Sequence, residues 1–491
     1  MDKRIRVVAV FSILCFLLLF LQLNNLQVKK ASALVHNRLE PGTTTSSYDL
    51  PRGDIILSNG SVLAYSSETS GGYVRHYTNG PLYADVTGAF DAVYESNPWG
   101  IESYYNSYLV EHTSSVKHLD DLLTQKTGTD TVEVTISPHV QAIAAAALAS
   151  YAAGAIVAID PTTGAILAMY SKPSYNPNEL ASLNRAAVTK YYDSLNPNSG
   201  SSALVNGATD TRIAPGSTFK VITTSAIFDH DTKLESEIVP IQSAIPVPQS
   251  NLLLHNFDSE PCGGTLAENL WKSCDTAYGH YGLQLGGTKL AEEAKAFGFN
   301  QQPPIDLPSA EVSPSVFPAP SSFPSNLPSL AYSAIGQENV AETVLQDSLV
   351  ASAIADGGEI MTPHLMAHII NDQGQLVATY EPHVWLRATS IDTADEVRAL
   401  MLGVPLYGTA AGVFPPSLDV AAKTGTAEVG SNECSSDWMI ATGPAGAGQV
   451  PKVAVAVVLP YQPGLACDGT GAEYAGPIAA KVLEAAVGYH A

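Results

Sequence analysis

Ser217 and Lys220 place a hydroxyl and an amine three positions apart near the middle of the chain. A proline and a glycine come directly before them, and we expect a helix to begin at Ser217, which puts both side chains on one helix face. An amine beside a hydroxyl acts as a general base once its pKa is lowered. The positive end of a helix favours that lowered pKa and also a developing oxyanion. The pair therefore predicts a serine nucleophile with a lysine base.

Two more polar motifs follow at long intervals. The segment 273–275 (Ser-Cys-Asp) begins 56 residues after Ser217, and the segment 423–426 (Lys-Thr-Gly-Thr) begins 150 residues later. A cation flanked by hydroxyl donors suits a carboxylate. Similar strings at 114–117 and 126–129 lie too close together in the chain to hold the elements of a cleft between them. We therefore take only the later set as a candidate site.

The three later motifs form the ordered set of class A β-lactamases and penicillin-binding proteins. Other segments extend the match: RGDIILSNGSVLA, GAIVAIDPTTGAILAMYSKPSYNPN, PGSTFK, SAIGQENV, MTPHLM and AAKTGTAEV. On these segments the chain resembles, over nearly its whole length, the class B penicillin-binding proteins, which are monofunctional peptidoglycan D,D-transpeptidases. It is most similar to the short actinobacterial members of that family.

The resemblance implies a reaction. The enzyme would cross-link stem peptides ending in D-Ala-D-Ala through an acyl-enzyme on Ser217, with release of the terminal D-Ala. β-Lactams would acylate the same serine. Lys220 would take the serine proton, although the identity of the base is disputed in related enzymes. Ser273 would pass a proton to the leaving amine, and an amine of a second stem peptide would resolve the acyl-enzyme.

The resemblance also assigns the third motif to the substrate carboxylate. Lys423, Thr424 and Thr426 would hold this carboxylate, and Gly425 would let the edge strand approach the substrate closely. Backbone N–H groups of Ser217 and Thr426 would form the oxyanion hole. The resemblance implies no cofactor.

Asp275 departs from the family, which usually has Asn at the third position of the middle motif. A carboxylate only accepts hydrogen bonds, whereas an amide both donates and accepts them. An ionised Asp275 near Lys220 would raise the lysine pKa and weaken the lysine as a base. Alternatively, Asp275 caps the helix that follows, a task that Asp performs as well as Asn. Altered acylation, simple tolerance of the change and loss of activity all stay open.

Two other functions also stay open. The same acylation with water as acceptor would make the chain a D,D-carboxypeptidase or a β-lactamase, although a hydrolase needs no long spacer before its catalytic part. A non-catalytic division scaffold or β-lactam sensor would follow if Asp275 prevents acylation. The resemblance implies a lipid-linked precursor as substrate and a membrane glycosyltransferase or division proteins as partners, and it suggests a role at the septum.

Composition excludes some functions. The chain has 24 Lys and Arg against 47 Asp and Glu, a net charge of −23, which argues against a nucleic-acid partner. Hydrophobic residues make up 45% of the chain, so most of it is expected to fold. His364 and His368 have the spacing of a helical metal pair, but the segment reads as extended. In a strand they would lie about 13 Å apart, and we expect no metal site.

The elements that position the motifs follow a mixed pattern. Pro138 opens an Ala-rich helix that we expect to end near Tyr151. Two apolar strands joined by a turn at 161–164 come next and are followed by helices, and three more strands and a helix close the chain. This order predicts an α+β protein with the penicillin-recognising serine transferase fold, an antiparallel sheet covered by helices. The transpeptidase domain would span 130–491 and follow a small pedestal domain over 35–128.

The first thirty residues indicate a membrane anchor. Residues 7–23 carry no charge, and as a helix they span about 25 Å, slightly short of a bilayer core of about 30 Å. We expect a cytoplasmic tail over 1–6 and an uncleaved signal anchor over 7–28, with a cleaved signal as the alternative. The protein would then cross the cytoplasmic membrane once and place most of its chain on the extracellular face.

Cysteine positions fit an exported domain. Cys434 and Cys467 lie before and after two neighbouring antiparallel strands, so we expect them to form a disulfide. A second pair between Cys262 and Cys274 is a further option. Cys15 lies in the apolar stretch and is expected to be free.

Overall fold

The structure is a computed structural model of the chain. It describes residues 50–70, 72–91, 99–110, 112–113, 127–429 and 434–489, with residues 12–14, 16–17, 20 and 22 closer to the N-terminus. The chain divides into two units, residues 1–49 and residues 50–491. The predicted tail at 1–6 and most of the predicted anchor at 7–28 lie outside the described residues. Within the described part, no helix has the length and apolar character needed to cross a membrane.

The strands, in chain order, are β1 (Ile55–Leu57), β2 (Val62–Thr69), β3 (Gly72–Tyr77), β4 (His112–Thr113), β5 (Thr127–Gly128), β6 (Thr131–Val134), β7 (Gly154–Ile159), β8 (Ile166–Lys172), β9 (Val239–Gln242), β10 (Ala244–Pro246), β11 (Leu253–His255), β12 (Cys262–Gly264), β13 (Glu359–Met361), β14 (Met366–Ile370), β15 (Leu376–Thr379), β16 (Val384–Arg387), β17 (Ala421–Val429), β18 (Cys434–Gly443) and β19 (Val453–Leu459).

The α-helices are α1 (Gly80–Thr87), α2 (Gly100–Tyr104), α3 (Asn106–Leu109), α4 (Pro138–Ala147), α5 (Pro177–Leu180), α6 (Arg185–Ser194), α7 (Lys220–His230), α8 (Leu266–Trp271), α9 (Asp275–Leu285), α10 (Gly287–Ala296), α11 (Leu327–Ser333), α12 (Val344–Ala355), α13 (Ile391–Tyr407) and α14 (Ala475–Tyr489). Short 3-10 turns occur at Gly216–Phe219, Phe257–Ser259, Ser309–Glu311 and Pro320–Ser322.

A five-stranded antiparallel sheet forms the centre of the second unit, in the order β17-β18-β19-β7-β8. Every residue of β7, β18 and β19 is buried. Continuous burial along a strand requires cover on both faces of the sheet, and the apolar runs of these strands meet that condition. Helices α12 and α14 pack on β18 and β19, and α13 packs on the edge strand β17. The predicted antiparallel sheet covered by helices is confirmed.

A second sheet of six strands has the order β15-β14-β6-β1-β2-β3, and its β1–β6 pair is parallel. Ile55 and Leu57 of β1 are buried, and the residue between them is only partly so, the alternation of a strand with one face on a core. Strands β14 and β15 come from the second half of the chain. The sheet therefore contains strands from both sides of the domain boundary expected near residues 128–130. That domain boundary stays a prediction.

Most of the helices, turns and disulfides predicted from the sequence are confirmed, with one difference in a helix end. Helix α4 begins at Pro138 but ends at Ala147, before the expected Tyr151, because the chain must turn before β7 starts at Gly154. The turn between β7 and β8 forms as predicted, with the Asp160 carboxylate accepting from the Thr162 N–H at 2.8 Å. Both cysteine pairs, Cys434–Cys467 and Cys262–Cys274, form disulfides.

Candidate active site

The segment that carries Ser217 is a tight 3-10 turn, Gly216–Phe219, that runs directly into α7. The α-helix thus begins at Lys220 and not at Ser217 as expected, because Gly216 takes a φ of +57° and tightens the entry. The Gly216 N–H donates to the carbonyl of Gly336 at 2.9 Å. Ser217 is partly exposed, whereas the three residues after it are buried. The turn presents the serine and buries the lysine.

Phe219 anchors this turn in the core. Its ring centroid lies 5.5 Å from that of Phe299, edge to face, and 5.3 Å from that of Phe317, stacked. Aromatic pairs in these arrangements contribute stability beyond the area they bury. Fixing Phe219 also fixes the directions of Ser217 and Lys220 on either side.

Two glycines let the turn that carries Ser217 lie directly against β17. A Cβ atom on Gly216 would come within 2.6 Å of the Thr426 carbonyl oxygen, and one on Gly425 would come within 2.6 Å of the Pro215 carbonyl oxygen. Both distances are shorter than any side chain tolerates, since the atoms met are backbone. The sequence predicted that Gly425 serves close approach to a substrate. The structure shows that this glycine makes room for the turn that carries Ser217.

All three motifs meet at the hydroxyl of Ser273. Lys220 Nζ donates to the Ser273 carbonyl at 2.7 Å and to Asp275 Oδ1 at 2.8 Å, and it lies 3.2 Å from Ser273 Oγ. Lys423 Nζ lies 2.9 Å from the same Oγ and donates to the Thr424 carbonyl at 2.8 Å. Both lysine side chains are fully buried. Lys220 bonds to Ser273 and Asp275 rather than to the hydroxyl of Ser217.

Burial sets the protonation of the two lysines. It lowers the pKa of Lys220, and the nearby charge of Asp275 opposes that shift without cancelling it. Burial and the adjacent charge of Lys220 together lower the pKa of Lys423 well below its usual value, with Asp275 again opposing. The expected effect of Asp275 on Lys220 therefore has the predicted sign, but desolvation outweighs it.

Asp275 is not a helix cap, so that alternative is wrong. It is the first residue of α9, whose cap position is Cys274, and the cap makes no side-chain hydrogen bond. The Asp275 carboxylate instead forms an ion pair with Lys220 at 2.8 Å, and its side chain is only 15% exposed. Asp275 lies one residue beyond the cap position, and its carboxylate bonds instead to the buried ammonium, where both partners are charged.

The middle motif is held by groups that sequence analysis missed. Ser273 has a φ of +56°, an uncommon conformation for a residue other than glycine, which its surroundings must enforce. The Cys262–Cys274 disulfide ties the motif to β12. Buried Asn256 accepts a hydrogen bond from the Thr276 N–H at 2.8 Å. Its own amide donates to the backbone carbonyls of Gln242 and Glu260. Nothing in the sequence singled out Asn256.

The third motif also has contacts that the sequence did not reveal. The Thr424 hydroxyl lies 2.6 Å from that of Thr409, just beyond the end of α13. The Gly471 N–H donates to the Thr426 hydroxyl at 3.3 Å. Thr424 is buried, whereas Thr409 is exposed and Thr426 is partly exposed, so the three threonines extend from the interior to the surface.

The two histidines flagged by their spacing do not form a site. His364 Nδ1 lies 2.9 Å from the Met366 carbonyl, and its ring stacks on Tyr380. His368 Nδ1 lies 3.2 Å from the Thr379 hydroxyl across the β14–β15 pair. Among the described residues, no group of three His, Cys, Asp or Glu side chains is placed to hold a metal ion.

A helix-covered antiparallel sheet whose edge strand carries one buried lysine and lies against a turn with a serine that leads into a second buried lysine defines a penicillin-recognising serine acyltransferase. Comparison with family models agrees. Residues 154–484 match the penicillin binding protein transpeptidase domain, and residues 52–132 match the penicillin binding protein A dimerisation domain. The chain belongs to the penicillin-binding protein transpeptidase family.

Full-length relatives include the peptidoglycan D,D-transpeptidase PbpA of Mycobacterium tuberculosis H37Rv, 33% identical over 503 residues, and that of Mycolicibacterium smegmatis, 34% identical over 506 residues. Each alignment covers 99% of this chain and 99% of the relative. The fold also matches solved structures of M. tuberculosis penicillin-binding protein A. Its ceftriaxone acyl-enzyme complex has a TM-score of 0.80 at 33% identity and covers 90% of this chain and 100% of that one. The corresponding values for its penicillin G acyl-enzyme complex are 0.79, 34%, 89% and 100%.

Proposed function

We propose that Ser217 is the nucleophile of this peptidoglycan D,D-transpeptidase and that β-lactams acylate it. The observation that carries the proposal is the position of Ser273, whose hydroxyl lies within 3.2 Å of both Lys220 Nζ and Lys423 Nζ. A base and a carboxylate-binding cation thus flank one proton-carrying hydroxyl. Ser217 lies on the turn that leads into Lys220, at the partly exposed end of this arrangement.

Acylation begins when the Ser217 oxygen attacks the carbonyl carbon of the penultimate D-Ala. Its proton passes to Lys220 in the neutral form, which burial favours by lowering the lysine pKa. The N–H groups of Ser217 and Thr426 hold the oxyanion. The C–N bond then breaks, and the amine of the terminal D-Ala leaves with a proton delivered through Ser273.

The terminal carboxylate of the substrate balances a charge that the site leaves uncompensated. Among the described residues, the carboxylate that pairs with either active-site lysine is that of Asp275, and it pairs with Lys220. Lys423 is bonded only to hydroxyl and carbonyl oxygens among the described residues. An incoming anion beside Lys423, Thr424 and Thr426 therefore finds a desolvated cation with hydroxyl donors.

Deacylation needs an amine rather than water. The nitrogen of a second stem peptide attacks the ester carbon and forms the new amide, and the Ser217 oxygen recovers a proton. A β-lactam opens its ring in the first step, so the amine that is released stays attached to the adduct. The acceptor therefore cannot take its place. The adduct on Ser217 consequently persists.

The cellular setting is part of the proposal. The uncharged stretch at 7–23 and the two disulfides fit a protein anchored once in the cytoplasmic membrane with its catalytic part outside. In that setting the substrate is a lipid-linked precursor or its polymer. A membrane glycosyltransferase or division proteins would supply it, at the septum.

Intact mass after incubation with penicillin G tests the nucleophile. The wild-type chain should gain the mass of one penicillin, and Ser217→Ala should gain none. Ser114→Ala, in the upstream copy of the motif, is the matched control and should gain the same mass as wild type. Labelling of Ser217→Ala would contradict the proposal.

Product analysis with a lipid-linked substrate tests the acceptor. A transpeptidase yields cross-linked dimers together with one terminal D-Ala for each new link. Release of D-Ala without dimers would identify a carboxypeptidase, and rapid recovery of free Ser217 after penicillin treatment would identify a β-lactamase.

A further inference from the structure

Thr409 lies beside the carboxylate-binding motif without belonging to it. Its hydroxyl oxygen is 2.6 Å from that of Thr424, close to the shortest distance usual for two hydroxyls. Thr409 is exposed, whereas Thr424 is only 6% exposed. The pair therefore connects the rim of the site with its buried wall.

Several contacts fix the backbone of Thr409. Its N–H donates to the carbonyl of Trp271 at 2.9 Å, and the indole N–H of Trp271 donates to the carbonyl of Leu400 in α13 at 2.9 Å. A Cβ atom at Gly408 would lie 2.1 Å from the Trp271 carbonyl oxygen, so the two segments touch through backbone. Trp271 precedes Ser273 by two residues. Thr409 is thus anchored to the segment of the second motif while its side chain contacts the third.

The direction of the hydroxyl–hydroxyl bond follows from counting protons. A threonine hydroxyl has one proton and two lone pairs, and a lysine ammonium can only donate. Lys423 Nζ lies 3.4 Å from Thr424 Oγ and occupies one of its lone pairs when charged. A substrate carboxylate can only accept, so Thr424 must offer its single proton to it. The remaining lone pair of Thr424 then requires a donor.

We propose that Thr409 is this donor, a positioning residue that turns the Thr424 proton towards the terminal carboxylate of the substrate. Its exposed hydroxyl is free to reverse direction when the anion arrives. The inference rests on the proposed carboxylate role of Thr424. It adds the residue that sets the direction of that hydrogen bond.

The test compares two ligands and three variants. We measure acylation of Ser217 by penicillin G and by its methyl ester, which lacks the carboxylate charge, and we separate the binding constant from the acylation rate constant. Thr409→Val keeps the shape and removes the hydroxyl, and Thr409→Ser restores it. Thr379→Val makes the same change at an exposed threonine whose hydroxyl contacts His368.

Thr409→Val should weaken binding of penicillin G by about three- to tenfold, the usual net effect of one neutral hydrogen bond. Acylation by the methyl ester should change little, Thr409→Ser should regain most of the loss, and Thr379→Val should behave as wild type. Unfolding temperatures of all variants confirm that the comparison concerns folded protein.

Three outcomes would overturn the inference: unchanged or tighter binding of penicillin G by Thr409→Val, equal losses for the acid and the ester, or a loss in Thr409→Ser as large as in Thr409→Val. Failure of the proposed function looks different. It would appear in the wild-type protein, either as no preference for the acid over the ester or as labelling that survives Ser217→Ala.

Discussion

Two clusters in the described part of the molecule bury two basic side chains beside one carboxylate. They consist of Arg52, Arg75 and Glu102 next to the six-stranded sheet, and of Lys220, Lys423 and Asp275 in the active site. The formal charges are the same, so the difference between the clusters lies in the type of base and in how the carboxylate is shared.

In the N-terminal cluster both arginines donate hydrogen bonds to the carboxylate of Glu102. Arg52 donates to one oxygen of Glu102 through two nitrogens, at 2.8 and 3.0 Å, and Arg75 donates to the other oxygen at 2.6 Å. Burial opposes ionisation of Glu102, but the charges and hydrogen bonds of Arg75 and Arg52 outweigh it and lower the pKa of Glu102. A guanidinium does not lose its proton in a protein. This cluster therefore has a fixed charge.

In the active site the carboxylate is not shared equally. Asp275 bonds to Lys220, whereas Lys423 bonds to a hydroxyl and a carbonyl. Lysine pKa values shift readily on burial, and both lysines have lowered pKa values. Fixed, equally shared charge supports the fold, whereas titratable, unequally shared charge can move a proton and bind an anion.

Lys220→Arg should have the largest effect, because it turns the active-site cluster into one of fixed charge. An arginine keeps the positive charge but cannot accept the proton of Ser217, so acylation by penicillin should slow by about 10³-fold, a typical contribution of a general base. Stopped-flow or mass-based acylation rates measure the effect. Lys289→Arg, at a surface ion pair with Asp231, is the control and should leave the rate unchanged. A Lys220→Arg rate near that of wild type would exclude Lys220 as the base.

Glu102→Gln would break the fixed cluster. The change leaves two buried arginines around a neutral amide, and removal of one partner from a buried ion group costs about 3–5 kcal/mol of the free energy of unfolding. Urea unfolding measures the loss, and penicillin labelling of Ser217 below the transition should persist.

Glu311→Gln is the matched control for Glu102→Gln. Burial raises the pKa of Glu311 to about 8, although a hydrogen bond from the Gly100 N–H opposes the shift. The carboxyl is thus largely protonated at neutral pH, and an amide should replace it at a cost below about 1 kcal/mol. Equal losses in the two variants would contradict the distinction between charged and neutral buried carboxyls.

Sequence analysis could predict the parts of the site that depend on local spacing. The Ser217–Lys220 pair and the order of the three motifs identified the candidate residues. The apolar runs of β7, β18 and β19 indicated the central sheet, since continuous burial leaves a continuous apolar pattern.

The remaining features depend on contacts between distant segments, which spacing does not encode. Asn256 and Thr409 act through hydrogen bonds across 20 and 15 residues, and neither lies in a recognisable motif. The direction of the Asp275 side chain was also open, because a helix cap and an ion pair are both compatible with its position. Only the location of buried Lys220 decided between them.

Removal of the Cys262–Cys274 disulfide would loosen the carboxylate of Asp275 without changing any charge. The bridge joins residues 12 apart, and in the chain-entropy model loops of this size contribute about 3 kcal/mol. The Cys262→Ala/Cys274→Ala variant should lose stability of that order in urea, and its acylation should slow because Ser273 and Asp275 are less firmly held. The Cys434→Ala/Cys467→Ala variant lacks the other bridge and should lose similar stability with a smaller effect on acylation. Identical acylation in the two variants would show that the first bridge does not position the motif.

Asp275→Asn has the smallest expected effect and separates the charge of Asp275 from its position. The carboxylate raises the pKa of Lys220 and of Lys423, so its removal lowers both. In the proposed mechanism Lys220 must be neutral to accept a proton and Lys423 must be charged to bind the carboxylate. The two limbs of the acylation profile report the two lysine pKa values, so lowering both moves both limbs to lower pH.

The whole pH profile of acylation by penicillin should therefore shift by about one unit to lower pH in Asp275→Asn, the lower end of the effect of a close opposite charge. Rates on the acid limb rise by about tenfold, and rates on the alkaline limb fall. Asp231→Asn removes the same charge at the surface pair with Lys289 and should leave the profile in place. A shift of one limb alone would mean that only one of the two lysines both responds to Asp275 and controls acylation. An unmoved profile would mean that neither lysine responds to Asp275, and the two clusters would then differ only in the type of base.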